Sequence, residues 1–156
     1  MMSVIPVLSE AYEFTRMETR EAPLAHFLIK IESFSLLGTF GIDKYETREF
    51  VAGDYKWKIC LHPKGNGEGA GRYVSIFLHC IEPKSSVKAC YTIWVKNQIS
   101  DEHNKGTETD WFSASDTDWG WPSFVEIATI NDPKNGFIVN DSCLLDIEIS
   151  ILAVSQ

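Results

Sequence analysis

The chain has 156 residues, enough for one domain to bury a core without disulfide or metal staples. Lys and Arg number 14 against 22 Asp and Glu, and the resulting net charge of −8 opposes a nucleic-acid backbone or an anionic bilayer as partner. The apolar patch Val4 to Leu8 is short, broken by Pro6 and lacks a basic lead, so neither a signal peptide nor a membrane span is expected.

Residues 1–22 mix charged and hydroxyl residues with a few apolar ones and are expected to be a flexible or loosely docked segment, with one domain over 23–156. From there, alternation with period two dominates, the mark of half-buried antiparallel strands. Phe27, Ile29 and Ile31 form the first inner face, and a shorter run from Tyr45 to Phe50 ends at the Ala52-Gly53-Asp54 turn. Tyr55, Trp57, Ile59 and Leu61 alternate with Lys56, Lys58, Cys60 and His62, which puts Trp57 in the core and both lysines toward water. Val74, Ile76, Leu78 and Cys80 make a third inner face, Ala89, Tyr91, Ile93 and Val95 a fourth, and Cys143 through Ile151 the last. Turn-rich stretches at 63–71, 82–86, 98–108 and 131–141 separate these runs. The pattern predicts an all-β antiparallel sandwich with at most one short helix, at Pro122 to Ile130, where Pro122 suits a first helical position.

Motifs for chemistry are weak. The glycine-rich loop Gly65 to Gly71 lacks the Gly-Lys-Ser/Thr ending of a phosphate cradle and leads into a strand, so it reads as a hairpin loop. Asp116-Thr117-Asp118-Trp119-Gly120 fails as a calcium loop because Ile127 stands where a bidentate Glu belongs; a turn capped by Asp116 or Asp118 is the simpler reading. The histidines and the four cysteines are scattered without ligand spacing, and the cysteines fit reduced thiols in a cytoplasmic or nuclear protein. Asn140-Asp141-Ser142 reads as turn chemistry. No nucleophile with a helper base is recognisable, so neither an enzyme, a cofactor nor a metal site is expected.

The distinctive stretch is Asp110 to Trp121, which sets Trp111, Trp119 and Trp121 among acidic and hydroxyl residues. Large aromatics in polar company point to a recognition surface. The order of motifs resembles the MATH (meprin and TRAF-C homology) domain, in particular plant TRAF-like proteins. The matching pieces, between Ala25 and Val154, include Phe27 to Ser35, Tyr45 to Phe50, Gly53 to Ile59, Tyr73 to Leu78, Asp118 to Trp121 and Asn135 to Asp141. The resemblance implies a sandwich of seven or eight strands with TRAF-C topology, binding short extended peptides in an aromatic groove. By motif position the groove residues are Phe77, Tyr91, Trp111, Trp119 and Trp121. Parity supports outward positions for Phe77 and Trp111; Tyr91 shares the phase of the apolar set, so it is either buried or turned by a bulge, and one of Trp119 and Trp121 could instead plug the sandwich end.

The resemblance implies a protein–protein interaction module, expected to serve as an adaptor or substrate-recognition unit in ubiquitin-related or signalling pathways. Acidic residues near the motif favour neutral or basic peptide segments as partners. A carbohydrate-binding sandwich and a self-associating homo-oligomer domain stay open as alternatives, since exposed tryptophans serve those purposes too.

Overall fold

The computed structural model describes residues 2–6, 24–39, 41 and 43–155. Two antiparallel sheets stack face to face. The first has the order β1 (Met2–Pro6), β2 (Leu24–Ile31), β11 (Ser142–Ser155), β7 (Ser86–Val95) and β8 (Asn104–Phe112), with the short β10 (Ile138–Val139) also on β11. The second runs β3 (Tyr45–Glu46), β5 (Tyr55–His62), β6 (Tyr73–Ile81) and β9 (Asp118–Glu126), with β4 (Phe50–Ala52) on β5.

Alternation explains why these segments are strands: each inner-face set faces its counterpart across the interior. Ile29 and Ile31, Trp57, Ile59 and Leu61, Val74, Ile76, Leu78 and Cys80, Ala89, Ile93 and Val95, and Cys143 through Ile151 in alternation are all buried. Trp57 is sealed, with its indole N–H donated to the Ala52 carbonyl at 3.0 Å and its ring edge-on to Phe112 at 5.1 Å. Burying such a side chain with its one polar group satisfied contributes about 2–3 kcal/mol of hydrophobic stabilisation. Lys56 is exposed, and Lys58 reaches across to Glu46 at 3.0 Å.

Four local readings differ. Of the segment read as loose, 2–6 pair with β2 in the register Met2↔Ile31, while 7–22 lie outside the described residues. The polar stretch read as turn over 98–108 contributes the first half of β8 from Asn104; an edge strand partnered on one side carries little of the apolar alternation that marks a central one. Pro122 sits inside β9, an edge strand that tolerates a missing N–H, and the single helical turn there begins only at Ile127. The turn before β9 is closed by main-chain bonds between Ser113 and Asp116, 2.9 and 3.0 Å, and not by a carboxylate cap. The turn at Asn140-Asp141 takes positive φ at both residues, 52° and 58°, which joins β10 to β11 as a tight hairpin.

Candidate binding edge between the two sheets

The strands β8 and β9 are the outer strands of their sheets and lie on the same side of the sandwich. Their facing edges are bridged at two points. At one end the Trp119 indole N–H donates to the Trp111 carbonyl at 2.8 Å; at the other the Asn104 side-chain amide donates to the Phe124 carbonyl at 2.9 Å.

Register fixes where each aromatic goes. Trp119 is opposite Leu78 and Trp121 opposite Ile76, both fully buried, so the two tryptophans share the inward phase of β9 and fill the side of the sandwich. Trp121 is half-buried and packs on Tyr91 at 5.6 Å and Phe124 at 5.2 Å. It lies over Gly106 of β8, where an added Cβ would meet the indole at 2.7 Å, so a glycine is needed beneath the ring. Trp121 therefore closes part of the sandwich side, whereas Trp119 stays 38% exposed.

The other three aromatics lie elsewhere around this edge. Phe77 is opposite Gly120 and Cys60 on the outer face of the second sheet, half-buried, with the His62 ring edge-on at 5.6 Å. An alanine methyl at position 120 would come within 2.7 Å of the Phe77 Cα, so only glycine lets β9 approach β6 there. Trp111 is opposite the outward Lys88 and is 43% exposed on the far side of β8 from Tyr91. Tyr91 is 1% exposed, as its apolar phase indicated, and its hydroxyl donates to Asp110 at 2.7 Å. Its ring forms floor beneath Trp121 and offers no surface; burial, then the Asp110 bond, then the Asp110 and Glu108 charges push its ionisation well above the usual phenol range.

Among the described residues, the β9 edge has unpaired main-chain groups. The Cys80 N–H donates to the Thr117 carbonyl at 2.9 Å, and by antiparallel alternation Trp119 and Trp121 also turn their peptide groups to β6. Asp118 and Gly120 therefore present theirs to the open side. The Asp118 carboxylate is held by His79 and by the Thr117 hydroxyl, the latter at 2.8 Å.

One supporting residue escaped the sequence reading. Ser75 keeps the outward phase of β6, opposite His62, yet is fully buried: the extra residues of β9 at the register shift between Val74 and Ile76 and the glycine-rich loop cover it, and its hydroxyl donates to the Pro122 carbonyl at 2.6 Å and accepts from the Asn66 N–H at 2.8 Å. The glycine-rich loop is thereby tied to β9, and Gly69 leaves no room for a Cβ against Pro122. No pattern announces this serine: its phase between Val74 and Ile76 reads as solvent-facing, and only the cover from β9 and the loop buries it.

Residues 26–149 match the MATH domain family. The chain belongs to the MATH family. Members of this family are non-catalytic protein–protein interaction modules, and the two stacked antiparallel sheets are its TRAF-like architecture. Over 140 residues the chain is 32% identical to Ubiquitin C-terminal hydrolase 12 of Arabidopsis thaliana, covering 86% of this chain and 12% of that protein. It is 31% identical over 114 residues to a MATH domain and coiled-coil domain-containing protein of the same plant, covering 69% of this chain and 34% of the relative. The chain thus spans only a small part of the length of these relatives. The solved structure of Notothenia coriiceps TRAF5 superposes with a TM-score of 0.68 at 16% identity, over 84% of this chain and 75% of that one, a likeness of fold.

Proposed function

We propose that this MATH domain binds a short extended segment of a partner protein along the open edge of β9. The observation that carries the reading is the edge itself: Asp118 and Gly120 offer main-chain groups unpaired among the described residues, beside the half-exposed Trp119 ring. A partner strand that aligns there gains main-chain hydrogen bonds, while its apolar side chains rest on Trp119 and on the exposed margin of Trp121. Phe77, in the row of Gly120, and Trp111, whose carbonyl receives the Trp119 indole, flank the same edge on its two outer faces. Neutral or basic segments suit the acidic surroundings.

A single strand-sized contact supports micromolar binding, about −8 kcal/mol after ordering costs, so avidity would come from a second copy or a linked domain. Likeness to ubiquitin C-terminal hydrolases supports an adaptor or substrate-recognition role in a ubiquitin-related pathway. A peptide array probed with the wild-type domain and Trp119→Ala tests the reading. Selective binding by wild type and loss in the variant is the expected result; equal binding by both removes the proposed edge.

A further inference from the structure

Two carboxylates stand out beside this edge. Glu108 is opposite Tyr91 on β8, and Asp110 is opposite Ala89; both partners are buried, so the two acids share the inward phase of β8 and face the same side of the sandwich as Trp119 and Trp121. Asp110 already accepts the Tyr91 hydroxyl, which fixes one of its oxygens against the aromatic floor. Glu108 is exposed, yet close enough for its charge to act on the Tyr91 phenol.

Neither acid has a cationic partner among the described residues. That sets them apart from Glu46, held by Lys44 and Lys58, from Asp146, held by Lys96 and His26, and from Glu126, held by Arg72. The lysine on the same strand, Lys105, is opposite Trp94 and leans over that ring on the outer face, 6.0 Å from its centroid. So β8 sends its positive charge outward and keeps two uncompensated negative charges inward, against indole rings whose faces also attract cations.

We propose that the docked segment lays an arginine or lysine side chain across the β8 margin of this edge, with Glu108 and Asp110 as its specificity determinants and Trp119 as the ring it stacks on. This rests on the peptide-binding reading above and narrows it to basic segments. An extended strand on β9 sends alternate side chains to the β8 side, and a long side chain there reaches the carboxylates while its stem covers the indole. Acidic and phosphorylated side chains are disfavoured at this position by like charge.

The test uses degenerate peptide libraries of otherwise uncharged residues, with one central position fixed as Arg, Lys, Gln or Glu, and fluorescence polarisation against the whole chain. Wild type should bind the Arg and Lys libraries about tenfold more tightly than the Gln library, an advantage that shrinks with added salt. The pair Glu108→Gln and Asp110→Asn, which keeps an acceptor for Tyr91, should reduce that advantage to less than twofold. Glu108→Gln alone lies at an exposed position and should roughly halve the advantage, so it decides the matter if the double variant does not fold. A cationic preference that survives these substitutions overturns the proposal. So does wild-type binding that depends on Trp119 but ignores charge, in which case the peptide-binding reading stands; no binding of any library overturns both.

Discussion

Ser75→Ala probes how the glycine-rich loop holds the binding edge in place. The side chain is fully buried and its hydroxyl is shared between the Pro122 carbonyl, at 2.6 Å, and the Asn66 N–H, at 2.8 Å. Removing it strands one acceptor on β9 and one donor in the loop. A buried group left unsatisfied costs about 1–3 kcal/mol, and because Pro122 is only half-buried and Asn66 is exposed, water can relieve part of that. The net loss should be about 2 kcal/mol, which for a domain of this size is a fall in Tm of about 4–8 °C. Urea unfolding followed by tryptophan fluorescence measures it as a lower midpoint with an unchanged m-value. Peptide affinity should fall as well, because Pro122 follows Trp121 and a loosened β9 misplaces the ring. A loss below about 0.5 kcal/mol, the range of a neutral surface change, would refute the claim that this hydroxyl ties loop to edge.

Gly120→Ala should destabilise by about 2–4 kcal/mol, since the new methyl meets the β6 backbone and not a flexible side chain, and thermal melting would show it. Hydrogen bonds from Lys58 and Lys44 hold the Glu46 carboxyl down at about 2, against an ordinary 4.5. Its stabilising contribution is therefore complete above pH 4.5 and is lost as pH falls from there through about 2. A carboxyl chemical-shift titration should find that midpoint and see it rise in Lys58→Met. Burial pushes the Cys60 and Cys80 thiols up to about 11 and Cys143 to about 12. A thiol reagent at mildly alkaline pH should modify the half-buried Cys90 first and the other three only on unfolding.

The interior was legible because a strand that is buried on one face must alternate. Trp57, the Val74 to Cys80 set, the Ala89 to Val95 set and the Cys143 to Ile151 set all obey that constraint. Legibility failed where the constraint lapses. β8 is an edge strand whose first half, Asn104 to Thr107, has little to bury, so polarity alone suggested a loop. Pro122 suggested a helix start because local propensity cannot know that a strand has one unpaired edge. For Trp119 and Trp121, parity about Gly120 said they share a side but not which one; their pairing with Leu78 and Ile76 supplies the missing reference. Tyr91 read as buried by phase and as groove-lining by motif position, and the phase describes its surroundings. Ser75 reads as solvent-facing by phase, and its burial could not be found without the β9 residues and the loop that lie across it.

Met2–Pro6 lie on the rim of their sheet opposite to β8, four strand spacings away, or about 19 Å at ordinary inter-strand distance. A fluorophore or purification handle attached near residue 2 would therefore sit clear of the tryptophans, so quenching or displacement measurements at Trp119 can be made without the label interfering with what docks there.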